Sequence, residues 1–467
     1  MVTRRRVLKA LPGVLVATAG CGSRDAGSGG PTPTTSDPAS PTRDPTRATT
    51  DPTTAVPVRS DSPGDESVTT TAGGCESSAS TTAEPTTTVR VTPSSAGVVW
   101  EHDTGADGAF ASAIGDGRVY AGSGESVVRA HVIEDGSEQW TAELSDPIQA
   151  IDYAEGTVLV ISGTVELRGD QDLHAIDAAD GTERWTADLT DWYLSVLGTR
   201  DGTVYVGTAD DYLQGYGQTL YALSLADGST EWSTEIGDPS DHHLTDGTIY
   251  VGSYGWVYAI DATTGDERWS NEIEEYTFRT LATLGSTAIY ADKRPEGTVL
   301  IGVDRETGER RFTFDRWRVS SVVAGDDAFY VGGGATGSLA PAGGSVNWRA
   351  TPGTHLLPVL DGERVYVASN QDARVIAYPR DGGCPDWEWT PTPDRALITN
   401  LSIRDDVLYA AARGEDGGSN GRYRFALDAA TGTTRWVFED DAELSELVVG
   451  GDLAVTGGAN GTLYGLR

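Results

Sequence analysis

The residues that could bind a metal or catalyse a reaction are few and scattered. His242 and His243 are the one adjacent histidine pair, and they precede a predicted strand. Adjacent residues of a strand point to opposite faces, so we expect a satisfied or exposed pair rather than two ligands of one metal. Two acidic, glycine-containing stretches, 169–172 and 413–421, offer oxygen ligands for Ca²⁺, but neither has the full spacing of a calcium loop. The sequence therefore predicts no catalytic residue, no metal ligand and no cofactor.

The three cysteines, Cys21, Cys75 and Cys384, are too few for a disulfide framework. In an oxidising compartment Cys75 and Cys384 could form one bridge, and the alternative is two inert thiols. Cys21 follows Thr18-Ala19-Gly20, a run of small residues that resembles a lipobox. That resemblance implies a lipidated Cys21 as the first residue of the mature protein. The alternative is a plain cleaved secretory peptide.

The first 97 residues are predicted to be an export signal and a stalk. Residues 1–21 carry a basic run, with Arg4 and Arg5 resembling a twin-arginine signal, followed by an apolar stretch too short to span a bilayer. Residues 22–97 consist mainly of Thr, Ser, Pro, Gly and Asp and cannot bury a core, so they should be disordered and serve as a stalk. We therefore expect a lipid-anchored protein held outside the cell membrane.

Charge sets further limits on function. The chain has 70 acidic and 34 basic side chains, a net charge of −36, and Lys9 and Lys293 are its only lysines. Such a field repels nucleic acid and anionic membranes, so neither is an expected partner, apart from the membrane reached by the lipid anchor. A strongly acidic, lysine-poor composition is typical of proteins from salt-saturated surroundings, where salt screens the self-repulsion. The alternative is an ordinary acidic protein from a GC-rich genome.

From residue 98 to residue 467 the chain repeats itself. VYAIDATTGDERW at 257–269 returns as LHAIDAADGTERW at 173–185, LYALSLADGSTEW at 220–232 and RFALDAATGTTRW at 424–436. A period of about 40 residues, with four short strands per unit, predicts an all-β propeller of four-stranded blades. Within the repeat, Asp261 should bond the amides of the turn, and Gly265 should adopt a positive φ. The repeated aromatic residue should pack between neighbouring blades.

Counting that aromatic residue gives the number of units. Eight units are complete, and the last two strands lack a Trp strand, which Val98-Val99-Trp100-Glu101 at the other end can supply. The N-terminal strand should therefore close the ring, giving eight or nine blades, with unit 326–350 the one expected to pack irregularly. The predicted blade-packing aromatics are Trp100, Trp140, Trp185, Trp232, Trp269, Phe312, Trp348, Trp389 and Trp436.

The pattern A-x-D-x-x-T-G-x-x-x-W resembles the repeat of the pyrroloquinoline-quinone-like (PQQ) propellers, over residues 98–467. That superfamily holds quinoprotein alcohol dehydrogenases and a non-enzymatic lipoprotein propeller of bacterial outer-membrane assembly. For the enzymes, the resemblance implies a channel-bound quinone capped by a disulfide between adjacent cysteines, with Ca²⁺ held by Glu, Asn and Asp. The chain has no adjacent cysteines, and no matching ligand set can be assigned.

The resulting functional prediction is a non-enzymatic, monomeric cell-surface scaffold of a salt-loving prokaryote that binds a protein or glycan partner. The alternatives are a PQQ-dependent oxidoreductase and a glycan-binding surface protein. A glycan site would need aromatic residues beyond one per blade, and the candidates are Trp192, Tyr193, Tyr212 and Tyr216, near the inserted loop 209–219. Asn400 and Asn460 open sequons for N-glycosylation.

Overall fold

The computed structural model places the repeats in one β-propeller. The chain divides into two units, 1–76 and 77–467. The signal and stalk predictions for 1–96 lie outside the described residues. The structure describes residues 97–467 except the segments 106–110, 123–125, 165–170, 190–192, 210–217, 237–238, 246, 275–279, 295–296, 352–357, 370–373, 392–396 and 414–421.

Nine sheets of four strands, numbered here as blades 1 to 9, make up the described part of the chain. Blades 1 to 3 comprise β2 (Ala111–Gly115), β3 (Arg118–Gly122), β4 (Val127–Val132), β5 (Glu138–Glu143); β6 (Ile148–Ala154), β7 (Thr157–Gly163), β8 (Gln171–Asp177), β9 (Glu183–Asp188); and β10 (Tyr193–Arg200), β11 (Thr203–Ala209), β12 (Gln218–Ser224), β13 (Thr230–Ile236). Blades 4 to 6 comprise β14 (Pro239–Leu244), β15 (Thr248–Ser253), β16 (Trp256–Asp261), β17 (Glu267–Glu272); β18 (Ala282–Leu284), β19 (Thr287–Arg294), β20 (Gly297–Asp304), β21 (Arg310–Phe314); and β22 (Val319–Ala324), β23 (Phe329–Gly333), β24 (Thr336–Leu339), β25 (Val346–Ala350). Blades 7 to 9 comprise β26 (Val359–Leu360), β27 (Arg364–Ser369), β28 (Arg374–Pro379), β29 (Trp387–Trp389); β30 (Leu397–Arg404), β31 (Val407–Arg413), β32 (Tyr423–Asp428), β33 (Thr434–Glu439); and β34 (Val448–Gly450), β35 (Leu453–Gly457), β36 (Thr462–Leu466) with β1 (Val98–Asp103).

Blade 9 is completed from both ends of the chain. Its strand order is β34-β35-β36-β1, and β1 pairs antiparallel with β36 from Val98 opposite Leu466 to Asp103 opposite Thr462. First strands of neighbouring blades contact one another, β2 touching both β6 and β34, so the nine sheets form a ring. The predicted propeller and its closure by the N-terminal strand are confirmed, with nine blades rather than eight. No helix occurs in the part of the chain that the structure describes, and none there could cross a membrane.

Most turns between the third and fourth strands of a blade contain an Asp and a Gly; the blade 6 turn, 340–345, has glycines but no Asp, and blade 9 has no such turn because β36 and β1 come from opposite ends of the chain. In blade 4 the Asp261 carboxylate accepts the amides of Thr263 at 2.8 Å and Thr264 at 3.1 Å, and it pairs with Arg268 at 2.6 Å. Gly265 follows with a φ of 75°, which a residue with a side chain resists. The same Asp–Arg pairing recurs between residues seven apart, at Asp177–Arg184, Asp304–Arg311 and Asp428–Arg435.

The turn glycine also makes room for the aromatic residue of the preceding blade. A Cβ placed on Gly265 would lie 2.6 Å from the Trp232 ring, too close for any side chain. Eight further glycines meet the aromatic ring of the blade before them in this way, across every blade boundary of the ring. The pairs are Gly136–Trp100, Gly181–Trp140, Gly228–Trp185, Gly308–Trp269, Gly344–Phe312, Gly382–Trp348, Gly432–Trp387 and Gly97–Trp436.

A buried tyrosine reinforces the tryptophan at several of these boundaries. In blade 4, Trp269 Nε1 donates to the Arg305 carbonyl at 2.9 Å, and the Tyr250 hydroxyl reaches the same oxygen at 3.4 Å. In blade 3, Trp232 and Tyr205 share the Ala262 carbonyl in the same way, at 3.3 and 3.0 Å. One carbonyl oxygen can accept two hydrogen bonds, so the next blade's turn is held by two donors. The repeat pattern pointed to the tryptophan but not to this tyrosine.

Two details of the repeat differ from expectation. In blade 7 the repeat position is occupied by Trp387, not Trp389: Trp387 lies opposite Ala377 and donates to the Ala429 carbonyl at 3.0 Å. Trp387 follows its strand partner Ala377 by ten residues, so blade 7 keeps the spacing of the other blades. Trp389, two residues later, instead stacks edge-on against Phe425 and donates to Thr434. Unit 326–350 contributes to blade 6, which has the ordinary four-stranded order.

Candidate functional site

The strand order gives the propeller two unlike faces. Because each blade is an antiparallel meander, first-to-second and third-to-fourth connections lie at one end, and the remaining connections lie at the other. We call the first end the tight-turn face and the second the loop face. On the loop face the connections range from two residues (254–255) to nine (414–422). Variable connections on a rigid scaffold are the usual place for binding residues.

Among the residues that the structure describes, blade 4 has the most exposed aromatic side chains of the loop face. Tyr254 and Gly255 form the connection between β15 and β16, and Trp256 is the first residue of β16. The exposed fraction is 68% for Tyr254 and 41% for Trp256. The Trp256 ring stacks on Tyr258, with ring centroids 6.3 Å apart. Tyr193, at the start of β10 on the same face of blade 3, is 38% exposed. Large rings left in water in this way are suited to contact a partner surface or a sugar.

A small basic surface lies on the loop face between blades 5 and 6. The connection 315–318 contains exposed Arg316 and Arg318 on either side of Trp317, next to one carboxylate, Asp315. The guanidinium of Arg349 lies 5.1 Å from the centre of the Trp317 ring, a cation–π distance. Trp317 is itself fixed edge-on against Phe314, with centroids 4.7 Å apart. In a chain of net charge −36, one arginine over the Trp317 ring and two exposed arginines beside it in sequence make this connection locally basic and suited to anionic groups.

The residues singled out from the sequence fall in different places. Tyr193 lies on the loop face, whereas Trp192, Tyr212 and Tyr216 lie outside the described residues, as does segment 414–421. Tyr254 and Trp256 were missed. The signal that could have found them is the string SYGW at 253–256, in which two aromatic residues flank a turn glycine directly.

The histidine pair lies within a strand rather than before one. His242 and His243 are both in β14, and neighbouring strand residues diverge. His243 Nε2 bonds the Thr283 hydroxyl at 3.0 Å across to blade 5. Burial lowers the pKa of His242 to about 4, so its ring stays neutral at ordinary pH. The pair is therefore part of the packing between blades and strands.

The structure also shows the surroundings of the acidic stretch 169–172, the two sequon asparagines and Cys384. In the acidic stretch 169–172, the Gln171 side-chain oxygen accepts the Leu194 amide at 2.7 Å, which ties blade 2 to blade 3. Asn400 and Asn460 are both exposed, and their amide groups bond Glu446 and Tyr464. Cys384 is disulfide-bonded, and Cys21 and Cys75 lie outside the described residues.

A comparison with protein families matches this architecture. The family model described as "Outer membrane protein assembly factor BamB", a model of PQQ-type repeats, matches residues 152–240, 216–351 and 332–467. Together these stretches cover more than half of the chain. The chain belongs to this PQQ-repeat family. The matched stretches run from β6 to β36.

Individual relatives of this PQQ-repeat protein differ widely in what their names describe. The chain is 28% identical over 165 residues to the serine/threonine-protein kinase AfsK of Streptomyces coelicolor, a match that spans 32% of this chain and 19% of the kinase. Among solved structures it resembles BamB from Moraxella catarrhalis, with a TM-score of 0.50 and 17% identity over 79% of this chain and 99% of that one. It also resembles quinohemoprotein alcohol dehydrogenase from Comamonas testosteroni, with a TM-score of 0.50 and 13% identity over 79% of this chain and 76% of the enzyme. At these identities the structures share the fold alone.

The PQQ-repeat fold thus supports both binding proteins and enzymes, so function must be argued from side chains. The repeat aromatics described above are committed to packing between blades. Among the described residues, one group of three has donor atoms near enough to hold a metal, His102, His131 and Glu138. It lies at the boundary between blades 9 and 1, and its polar residues were not singled out from the sequence.

Proposed function

We propose that this chain is a non-enzymatic cell-surface scaffold that binds a protein partner through its loop face. The observation that carries the proposal is the exposure of Tyr254 and Trp256 at one end of blade 4, whose other end is taken up by contacts between blades. Tyr and Trp are enriched at protein interfaces because they supply a large rigid contact area with a polar edge. Tyr254 lies in a two-residue turn and Trp256 is the first residue of β16, so both rings are held next to strands.

The basic surface around Trp317 indicates what kind of partner would fit. Arg316, Arg318 and Arg349 can donate bidentate hydrogen bonds to carboxylates, which an Arg fork matches in geometry. Most of the chain repels acidic proteins, because its net charge is −36. We therefore propose a partner that places carboxylates on this surface and an apolar or aromatic patch on blade 4.

The position at the cell surface is part of the same proposal. It rests on the resemblance of the first 21 residues to a twin-arginine lipoprotein signal, with Cys21 as the lipidated residue. Replacing Cys21 with Ser should release the protein from the membrane fraction into the medium. A Cys21→Ser protein that stays with membranes would contradict the anchor, without affecting the loop-face proposal.

Site-specific photo-crosslinking in cells tests the binding face. A photoreactive amino acid at Tyr254 should give a discrete protein adduct, whereas the same amino acid at Glu306, exposed in a turn of the tight-turn face, should give none. Charge reversal of Arg316 and Arg318 to Glu should remove the adduct at position 254 if both surfaces contact one partner. Equal labelling from positions 254 and 306, or no adduct at 254, would contradict the proposal.

A glycan ligand is the second candidate, favoured by the stacked pair Trp256 and Tyr258 with one ring open to solvent. Sugar rings present C–H faces that stack on such aromatics. The same crosslinking experiment separates the two candidates. A glycan adduct at Tyr254 would resist protease and be cleaved by periodate, whereas a protein adduct would be digested.

A PQQ-dependent oxidoreductase is the competing enzymatic proposal. It is tested by adding pyrroloquinoline quinone and Ca²⁺ to the full chain in KCl and following quinone absorbance and dye reduction with alcohols. We expect neither saturable binding nor turnover, because the chain has no adjacent cysteines to cap a quinone. Saturable binding with turnover would replace the scaffold proposal with an enzymatic one.

A further inference from the structure

The boundary between blades 9 and 1 has two histidines at positions where the other boundaries have none. His102 lies on β1, two residues after the packing Trp100, while His131 lies on β4 and Glu138 on β5. His131 and Glu138 are opposite each other across the two strands of blade 1. One atom from each of the three side chains lies within 4.8 Å of the others. Two imidazoles and a carboxylate are a ligand set typical of zinc and related metals.

His131 is the fixed member of the group. Its side chain is fully buried, and its Nδ1 bonds the Gly136 carbonyl at 3.1 Å. A carbonyl accepts only from N–H, so the proton is on Nδ1 and the lone pair is on Nε2. That Nε2 atom is buried and has no hydrogen-bond partner. A buried polar atom without a partner is costly, and a backbone carbonyl on the other ring nitrogen is the support that metal-binding histidines usually have.

The other two ligands face the same point from a more open position. His102 packs edge-on against His131, with ring centroids 4.5 Å apart. Its Nε2 lies 3.9 Å from a Glu138 carboxylate oxygen, and the two side chains are 31% and 40% exposed. Donors around a tetrahedral Zn²⁺ are about 3.3 Å apart, so the two exposed side chains would move inward by rotation while His131 stays fixed. Solvent exposure at His102 and Glu138 also gives an ion a path into the site.

The other blades show what these positions hold when packing alone is required. At the position of His131, one residue after the strand partner of the packing aromatic, blades 2, 4 and 8 have Ile176, Ile260 and Leu427. A fully buried imidazole in place of an aliphatic side chain destabilises the core unless its second nitrogen is used.

The positive charge of Arg129 would repel a cation bound by these three residues. The Arg129 guanidinium lies 4.0 Å from the Glu138 carboxylate. Its Nη2 is also 3.4 Å from the Thr104 carbonyl, to which it can turn when Glu138 binds an ion. A neutral group at Arg129 should therefore strengthen metal binding.

We propose that His102, His131 and Glu138 form a binding site for one divalent transition metal ion of the zinc type. The metal joins β1, the strand that closes the ring, to blade 1. Water completes the coordination, since the protein supplies three ligands. The site is independent of the loop face and of the proposed partner.

Cobalt binding to the full, untagged chain tests the site, with excess Mg²⁺ and KCl present to suppress weak binding to surface carboxylates. We expect one equivalent of Co²⁺ to give visible absorption bands of a tetrahedral or five-coordinate ion, and Zn²⁺ to displace it. Zn²⁺ should also raise the melting temperature, because an ion that binds only the folded state stabilises it. His102→Ala and Glu138→Gln should weaken binding about tenfold or more, since even loss of a supporting residue costs that much.

His174→Gln is the matched control. His174 is also a buried histidine beside a glutamate, but its Nε2 bonds Ser162 at 2.9 Å and its Nδ1 lies 3.0 Å from Glu183, so both nitrogens are engaged. This variant should bind Co²⁺ like the parent chain. His131→Gln should abolish binding. If this variant does not fold, His102→Ala and Glu138→Gln, which change partly exposed side chains, still test the site. Binding without saturation, or unchanged binding in His102→Ala, would overturn the proposal.

Discussion

Blade 4 has two ends that are built for different purposes. At the tight-turn end, Asp261 and Gly265 shape a turn whose glycine is covered by Trp232 of the preceding blade. At the loop end, Gly255 has a similar φ of 81°, but a Cβ there would meet nothing within 4 Å, and its neighbours Tyr254 and Trp256 stand in solvent. The same residue type and conformation thus serve blade packing at one end and leave an open surface at the other. The residues that the sequence repeats form the packing turn, and the residues that differ from the repeat form the open surface.

Removing β1 is the largest test of the packing role. Deletion of residues 98–104 removes the strand paired with β36 and the buried Trp100, whose Nε1 donates to the Ile133 carbonyl at 2.8 Å. The loss should exceed the about 3–5 kcal/mol that truncating a buried Trp to Ala costs, because a strand ladder is lost too. Denaturant unfolding measures it. Deleting 80–86 from the predicted stalk is the control, and equal stability of the two deletions would contradict closure by β1.

The two glycines of blade 4 give a sharper comparison. Gly255→Ala should cost about 1 kcal/mol, the penalty for a side chain at positive φ. Gly265→Ala should cost at least about 1 kcal/mol more, because its Cβ would collide with the Trp232 ring and overpacking costs about 1–3 kcal/mol. Urea unfolding of both variants measures the difference. Equal costs would mean that the Trp232 ring is free to move away and does not hold the turn.

The packing end could be predicted from the sequence because it recurs. A glycine and an aromatic ring meet at all nine blade boundaries, with an Asp in most of the turns, and this recurrence was enough to predict the propeller, its closing strand and eight or nine blades. The prediction was wrong at Trp389. Blade 7 keeps the regular ten-residue spacing from Ala377 to Trp387, but its turn has two adjacent glycines and a second tryptophan follows, which obscured that spacing in the sequence.

The sites that occur once could not be predicted in this way. His102 and His131 are 29 residues apart, and closure of the ring by β1 brings their rings together. Tyr254 is exposed in a two-residue turn, whereas Ala335 in the equally short turn 334–335 is fully buried, so turn length does not show exposure. Long-range packing, rather than local propensity, decides both.

A smaller effect is expected from acid at the tight-turn face. The hydrogen bond from Arg268 holds the pKa of Asp261 below its usual value, with the Thr263 and Thr264 amides adding to the effect. A lowered carboxyl pKa contributes stability that is present above the unfolded value of about 3.9 and is lost as the pH falls through the folded value. Asp261→Asn keeps an oxygen for the turn amides but cannot titrate, so its unfolding free energy should fall less steeply in acid.

Urea unfolding from about pH 6 to about pH 3 measures that slope. The control is Asp315→Asn, an exposed carboxylate on the loop face. If both substitutions change the acid slope equally, general charge repulsion rather than the Asp261–Arg268 pair governs it. The effect is small because the Arg268 side chain is 38% exposed and solvent screens the pair.

The smallest effect on stability should come from the residues with the largest proposed effect on binding. Tyr254→Ser with Trp256→Ser should change the unfolding free energy by no more than about 0.5 kcal/mol, because neither ring is needed to fill a core. A matched tyrosine, Tyr250→Phe, should cost about 0.5–1.5 kcal/mol, because its buried hydroxyl reaches the Arg305 carbonyl that also holds Trp269. Binding should show the reverse order, with partner crosslinking lost in the double variant and kept in Tyr250→Phe. If the double variant unfolds easily, Tyr254 and Trp256 belong to the packing of blade 4, and their exposure no longer argues for a partner.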